Sequence, residues 1–198
     1  MQYPIHENKI CQKYDILLHI DEVVCGLGRT GTWFGYQNYG IKPDIVVMGK
    51  ALGGGLPIGA FSASKTLMKE LEYNPKLGHI TTFGGNPVIA ASALATLNEI
   101  EKSGIVKTIN HKEKLFRKNL RHPKIKKIQG IGLMLAPIFE SSETADYLVH
   151  QCIKKGLLLF WLLWEKNAIR ISPPLTISDE QIILGCQIIC ETLDEQQV

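Results

Sequence analysis

No apolar run in this sequence reaches the roughly 20 consecutive residues that a bilayer-spanning helix takes, so no membrane helix is predicted. Met1-Gln2-Tyr3-Pro4 has neither the charged nor the apolar region of a signal peptide, and a cytoplasmic chain is expected. Charge of one sign is scarce as well: 22 Lys and Arg against 19 Asp and Glu give a net charge of +3. The densest basic cluster, Lys124-Ile125-Lys126-Lys127, has no interleaved aromatics and lies beside the turn signal His122-Pro123. It reads as a solvated face, and no nucleic-acid partner is expected. The 5 cysteines, Cys11, Cys25, Cys152, Cys186 and Cys190, form an odd set without a Cys-x-x-Cys pair, so neither a metal nor a disulfide is expected. Cys186 and Cys190 lie one helical turn apart on an apolar face and read as small hydrophobes.

Phosphate-binding signatures are missing too, although fragments of them occur. Gly26-Leu27-Gly28-Arg29-Thr30-Gly31 matches G-x-G-x-x-G, yet acids and valines separate it from the preceding strand, and Thr32-Trp33-Phe34-Gly35-Tyr36 follows where a helix should open. That context argues against a dinucleotide site. Gly49-Lys50-Ala51 is no P-loop, since Asp44 stands at the first glycine and Ala51 at the metal-binding hydroxyl.

What is present centres on Asp15 to Ala60. Leu17-Leu18-His19-Ile20-Asp21-Glu22 and Ile45-Val46-Val47-Met48-Gly49-Lys50 are short, branched and without alternation, the pattern of strands covered on both faces. Each ends at a charge. The carboxyl ends of parallel strands form the ligand crevice of an open α/β sheet, and the interval from Asp21 to Lys50 exceeds the dozen or so residues a crossover needs. Gly53-Gly54-Gly55 behind the lysine predicts close approach of something bulky, hence a crowded, poorly hydrated amine of the kind used in Schiff-base chemistry. An aspartate opposite would suit a protonated ring nitrogen, and an electron-sink cofactor such as pyridoxal phosphate needs both groups. A strand-end salt bridge, or a pair of solvated charges, is the alternative reading of the same residues.

Asp21-Glu22-Val23-Val24-Cys25-Gly26-Leu27-Gly28-Arg29-Thr30-Gly31, Lys42-Pro43-Asp44-Ile45, Gly49-Lys50-Ala51-Leu52-Gly53-Gly54-Gly55-Leu56-Pro57-Ile58-Gly59-Ala60 and Thr82-Phe83-Gly84-Gly85-Asn86-Pro87 resemble, in order and interval, the signature of class III aminotransferases of the ornithine and acetylornithine type. The resemblance implies an α/β protein of fold type I: a partial large domain, mostly parallel sheet with helices, over residues 1–103, and a small α+β carboxyl-terminal domain over residues 104–198. It implies pyridoxal phosphate on Lys50, Asp21 on the pyridine nitrogen, Val23 packed on the ring, and Thr82 on the phosphate of the neighbouring subunit, hence a homodimer with shared active sites. Arg170 matches the arginine that clamps a substrate carboxylate. An amino acid or ω-amine and a 2-oxo acid such as 2-oxoglutarate are the implied exchange pair.

Family members are about twice as long, and the chain resembles their carboxyl-terminal half. The phosphate-binding turn, the ring-stacking aromatic and the substrate-specificity segment have no counterpart. Val24 stands where the family usually has glutamine, and Ile80 where glycine is common. Two other readings stay open: an incomplete fragment acting only in assembly, and a sister activity such as an aminomutase or decarboxylating transaminase.

Along the chain, a helix end is expected over Ile5–Tyr14, a strand over Ile16–Ile20, another over Ile58–Ala63, and a short helix from Ser64. Gly78-His79-Ile80-Thr81-Thr82-Phe83-Gly84-Gly85 reads as a loop able to cup an anion, or as a plain turn. Asn86-Pro87 starts a helix with stripe Ala90, Ala91, Leu94, Leu97 and Ile100, stopped by Gly104, and a charged helix runs from about Ile105 to Arg121. Strands are predicted over Gly130–Ala136, Leu157–Trp161 and Ala168–Ser172, with a helix over Ser142–Lys154 and core or interface roles for Phe160, Trp161 and Trp164. Arg170, inside an apolar strand, reads as buried and needing an acid such as Glu165, or as a carboxylate clamp. Ser178-Asp179-Glu180-Gln181 forms a capping box for the last amphipathic helix.

Overall fold

The apolar runs that flank the glycine-rich turn pair as parallel strands. In the structure, a computed structural model that describes residues 3–73, 75–76 and 79–196, β1 (His19–Asp21) pairs with β2 (Ile45–Gly49), placing Asp21 opposite Val47. Met1, Gln2 and Gly78, on which parts of the sequence reading fall, lie outside the described residues. The ladder extends one step further through Glu22, whose N–H donates to the Val47 carbonyl at 2.8 Å. At the other end Asp44 Oδ2 accepts the Leu18 N–H at 2.8 Å, pinning the entry to both strands. β3 (Gly59–Ala63) adds antiparallel to β2, so this sheet of order β1-β2-β3 holds one parallel and one antiparallel pair rather than being mostly parallel.

The chain divides into two units, Met1–Val106 and Lys107–Val198, whereas the sequence reading places the division after residue 103. In the first, α1 (Tyr3–Tyr14) precedes β1. A 3-10 turn over Gly35–Tyr39 follows the glycine-rich segment, and another over Lys50–Gly53 follows β2. α2 (Lys65–Glu70) starts at Ser64, whose hydroxyl accepts the Leu67 N–H. α3 (Pro87–Ser103) starts at Asn86, whose side chain accepts from Val88 and Ile89, and stops at Gly104 with φ +63°. The core of this unit is small: Leu27, Leu52 and Ala93, flanked by Trp33, Met48, Ile58, Leu97 and Ile100.

Two expectations are corrected here. The first strand is not covered on both faces, since Ile16 and Leu17 are each 53% exposed, while β2 is half-buried over Ile45–Met48. Met48 of β2 and Ala60 of β3 pack with Leu27 and Leu52 and with Ala93 of α3. The packed stripe of α3 runs through Ala93, Leu97 and Ile100 with Ser92 and Thr96, leaving Ala90 and Ala91 exposed and Leu94 59% exposed. A polar contact sets that rotation: Ser92 Oγ donates to the Gly53 carbonyl at 2.8 Å. Apolar periodicity does not register such a bond.

The second unit is an antiparallel sheet of order β4-β5-β7-β6 (Lys127–Ile131, Met134–Ile138, Glu165–Arg170 and Phe160–Leu162) with α4 (Ile109–Asn119), α5 (Ser142–Lys154) and α6 (Asp179–Glu195). α5 packs on β7 and α6, and α4 on α6. Leu133, Leu135, Leu148, Ile169, Ile182, Ile189 and Leu193 are buried at the centre. Burying each contributes roughly 1.5–3 kcal/mol against exposure, so this unit carries the larger core. Ser178 and Gln181 form the expected capping box of α6.

The segment Gly130–Ala136 is a hairpin rather than one strand. Gly130 at φ +102° and Gly132 at φ +61° take backbone conformations that other residues enter at a cost, and the chain reverses there. α4 clips the hairpin: Arg117 donates to the Ile128 and Gly130 carbonyls at 2.8 Å each, and Glu113 accepts from Arg117 and from the Gly132 N–H. The predicted helix from Ile105 splits into a 3-10 turn (Ile105–Thr108) and α4, and the strand predicted from Leu157 begins only at Phe160. Trp164, expected in a core or interface, is 97% exposed at the β6–β7 turn.

Candidate active site

At the carboxyl ends of β1 and β2 the sequence brings an acid and an amine to neighbouring strands, which lie about 4.8 Å apart in any sheet. Asp21 is exposed, and its Oδ1 accepts the Val23 N–H at 2.8 Å. Val23 turns back onto β2: a Cβ built on Gly49 would sit 3.4 Å from Val23 Cγ1 and 3.1 Å from the Ile58 carbonyl. Only glycine lets the end of β2 approach both.

Lys50 follows at φ +45°, one of three non-glycine residues with positive φ among those described. Holding a lysine there costs about 1–2 kcal/mol, strain of the kind that collects at functional sites. The amine is exposed rather than crowded. The bulky neighbour of the glycine triplet is α3, since a Cβ on Gly54 would run into Thr96 Oγ1 and come within 3.1 Å of Ser92 Oγ. Gly54 thus seats the lysine turn on a helix, while Gly53 meets Ile58 and nothing lies within 4 Å of Gly55.

Behind the site, Glu22 is 3% exposed and accepts the N–H groups of Gly35 and Tyr36 at 2.8 Å each. The sequence reading groups Glu22 with Asp21 as one acidic pair. Strand alternation is the signal that separates them, because successive side chains point to opposite faces. Burial, with the Glu22 and Asp21 charges, pushes the Cys25 thiol up, so it stays protonated.

Thr82 is exposed in the loop that leads into α3. Its neighbours Thr81, Phe83, Gly84, Gly85 and Asn86 line a shallow cavity of about 310 Å³ with Pro57, Ile58 and Gly59. Val24 and Ile80, where the chain departs from the family pattern, are 46% and 63% exposed.

Arg170 belongs to the second unit and is exposed, not buried. It lies over the Phe160 ring, 5.0 Å from its centroid, and Glu165 instead accepts the Asn167 N–H. Cation and ring explain how a guanidinium closes an apolar strand without an acid. A cavity of about 430 Å³, mostly apolar and lined by Phe116, Leu158, Phe160 and Pro173 among others, opens beside it. Thus Asp21, Val23 and Lys50 come together within one unit, and Arg170 stands in the other.

No group of three or more His, Cys, Asp or Glu side chains able to hold a metal occurs among the described residues, and none of their helices is long and apolar enough to cross a membrane. No cysteine pair forms a disulfide there. What the arrangement offers is an amine for an aldehyde and a carboxylate for a protonated nitrogen, at the strand-end crevice of an α/β fold.

The family model "Aminotransferase class-III" matches residues 3–193, and the chain belongs to that family, whose members are pyridoxal-phosphate enzymes. It is 41% identical over 186 residues to an acetylornithine aminotransferase of Haemophilus ducreyi, spanning 94% of this chain and 46% of the relative. A leucine/methionine racemase of Thermococcus litoralis is 38% identical over 190 residues, spanning 89% of this chain and 42% of the relative. The crystal structure of a Bacillus anthracis aminotransferase superposes with a TM-score of 0.90 at 30% identity, covering 98% of this chain and 48% of that one. The fold is accordingly that of part of a fold type I enzyme, and the chain spans about half the length of the curated relatives it matches.

Proposed function

We propose that this chain carries the lysine-bearing portion of a pyridoxal-phosphate-dependent transaminase that exchanges an amino group between an amino acid or ω-amine and a 2-oxo acid such as 2-oxoglutarate. The observation that carries the reading is the position of Asp21 and Lys50 at the carboxyl ends of adjacent parallel strands, each exposed, with Val23 against Gly49 beside them. These residues fit the cofactor. When bound, pyridoxal phosphate supplies an electron sink for the carbanion formed at the amine-bearing carbon.

The chain's own residues do the rest. Lys50 Nζ would hold the cofactor's aldehyde carbon and, as a free amine, would move a proton at the amine-bearing carbon. Asp21 would keep a proton on the ring nitrogen, and Val23 would pack on the ring. Arg170 orients a substrate carboxylate with its planar fork. Thr82 binds the phosphate of a neighbouring subunit, which makes the functional unit a homodimer with shared sites. A cytoplasmic setting fits thiols that form no disulfide.

A second reading is favoured by the racemase relative: the same lysine proton transfer, returned to the opposite face of the carbon without amino exchange. One experiment separates the two. The chain is incubated with pyridoxal phosphate and an α-deuterated amino acid, and products are followed by mass spectrometry. Transamination yields 2-oxo acid and pyridoxamine phosphate, whereas racemisation yields deuterium loss without 2-oxo acid. Neither product would mean that the chain acts only in assembly.

A further inference from the structure

Glu22 is the only buried acidic residue among those described, at 3% exposure. Both of its oxygens are engaged: Oε2 accepts from Gly35 N–H and Oε1 from Tyr36 N–H, each at 2.8 Å. Those two groups open the 3-10 turn Gly35–Tyr39, so the carboxylate closes the loop from residue 22 to residue 36 at its neck. The surroundings are shaped to admit it. A Cβ on Gly35 would lie 3.3 Å from both Glu22 oxygens and 3.0 Å from Cys25 Cβ, and a Cβ on Gly26 would lie 2.8 Å from the Glu22 carbonyl. On its other side, the Glu22 N–H is fixed to the Val47 carbonyl at 2.8 Å.

Glu22 therefore ties the same short stretch to β2 and to the far end of the glycine-rich loop. Asp21 precedes it, and Val23, whose N–H is bound to Asp21 Oδ1, follows it. We propose that Glu22 is a positioning residue that aims the Asp21 carboxylate and the Val23 side chain at the ring of the cofactor. The inference rests on the assignment of Asp21 to the ring nitrogen. A carboxylate suits the task because it offers acceptors to both N–H groups, and charge-assisted bonds to backbone are short and directional. Glutamine keeps the shape but turns an NH₂ donor against one of the N–H groups, leaving a buried donor without an acceptor.

Glu22→Gln, Gly35→Ala and, as a control, Leu97→Ala are compared with the parent chain. Gly35→Ala presses a methyl onto the same carboxylate, and it reports on the clasp should Glu22→Gln not fold. Leu97→Ala loosens the small core of the same unit, to which the loop contributes Leu27 and Trp33, and removes neither hydrogen bond to the Glu22 carboxylate. Hydrogen exchange reads the Gly35 and Tyr36 amides. Borohydride trapping of pyridoxal phosphate on Lys50, over a cofactor titration, reads the site, together with the pH at which the visible band of the bound cofactor changes. Glu22→Gln is expected to speed exchange at both amides about 10-fold, raise the half-maximal cofactor concentration about 10-fold and shift the pH of the band, while Leu97→Ala leaves the last two within about 2-fold. Unchanged exchange overturns the clasp. Faster exchange with unchanged trapping and an unshifted band overturns the positioning role. A parent chain that is not trapped on Lys50, with both amides still protected, sinks the cofactor assignment and this proposal with it, and the protection identifies which step failed.

Discussion

Replacing Gly54 by alanine tests how the lysine turn is seated. Gly54 closes the Lys50–Gly53 turn at φ +57°, and its missing side chain is where α3 passes. Alanine brings three costs. The left-handed backbone costs about 1–2 kcal/mol for a residue with a Cβ. The added methyl collides with Thr96 Oγ1 and lies 3.1 Å from Ser92 Oγ. Relieving that crowding moves α3 and lengthens the 2.8 Å bond from Ser92 to the Gly53 carbonyl, worth about 1 kcal/mol. With overpacking of about 1–3 kcal/mol, the sum is about 3–6 kcal/mol. Gly40→Ala provides the reference: its φ is +63° but nothing lies within 4 Å, so only the backbone cost applies. The assay is hydrogen exchange of peptides from residues 15–104 across a urea series, which keeps the second unit from masking the change. Gly54→Ala should destabilise those peptides by at least about 2 kcal/mol more than Gly40→Ala. Equal losses in the two variants would refute the seating of the lysine turn on α3.

Other consequences follow from the same geometry. Glu113→Ala strips Arg117 and the Gly132 N–H of their acceptor, and a loss of about 1–3 kcal/mol is expected in thermal unfolding of the second unit. Leu148→Ala, at a position with no exposure, should cost about 2–5 kcal/mol by the same measurement. Burial, with a smaller contribution from Cys190, raises the Cys186 thiol from 9.0 to about 12 in the fold. The folded state thus binds a proton that the unfolded chain gives up, so stability from this group is present below pH 9 and lost as pH rises towards about 12. Urea midpoints of Cys186→Ala should fall less over that range than those of the parent. Arg170→Lys keeps the charge but loses the fork and the stack on Phe160, and should raise KM for a carboxylate substrate about 10-fold or more with a smaller change in kcat.

The strand-end positions of Asp21 and Lys50 were legible because each apolar run stops at a charge, and Asn86-Pro87 marked the start of α3. Features set by a partner distant in sequence were not legible. The rotation of α3 depends on Ser92 reaching the Gly53 carbonyl, and the role of Glu22 depends on amides 13 and 14 residues away. The hairpin at Gly132 was missed because a continuous apolar pattern hides the glycines that break it. Arg170 was read as buried because its apolar neighbours suggested a covered strand, whereas Phe160 offers it a ring at the surface. The run from Ile16, expected to be covered on both faces, is exposed because coverage depends on other layers and not on the strand's own residues.

The central claim is that Lys50, with Asp21 opposite, holds pyridoxal phosphate. It is tested most directly by mixing the purified chain with the cofactor, reducing with borohydride and mapping the pyridoxyl group by mass spectrometry. The account predicts selective modification of Lys50, lost or strongly reduced in Asp21→Asn. Modification scattered over surface lysines, or labelling of Lys50 indifferent to Asp21→Asn, would contradict it.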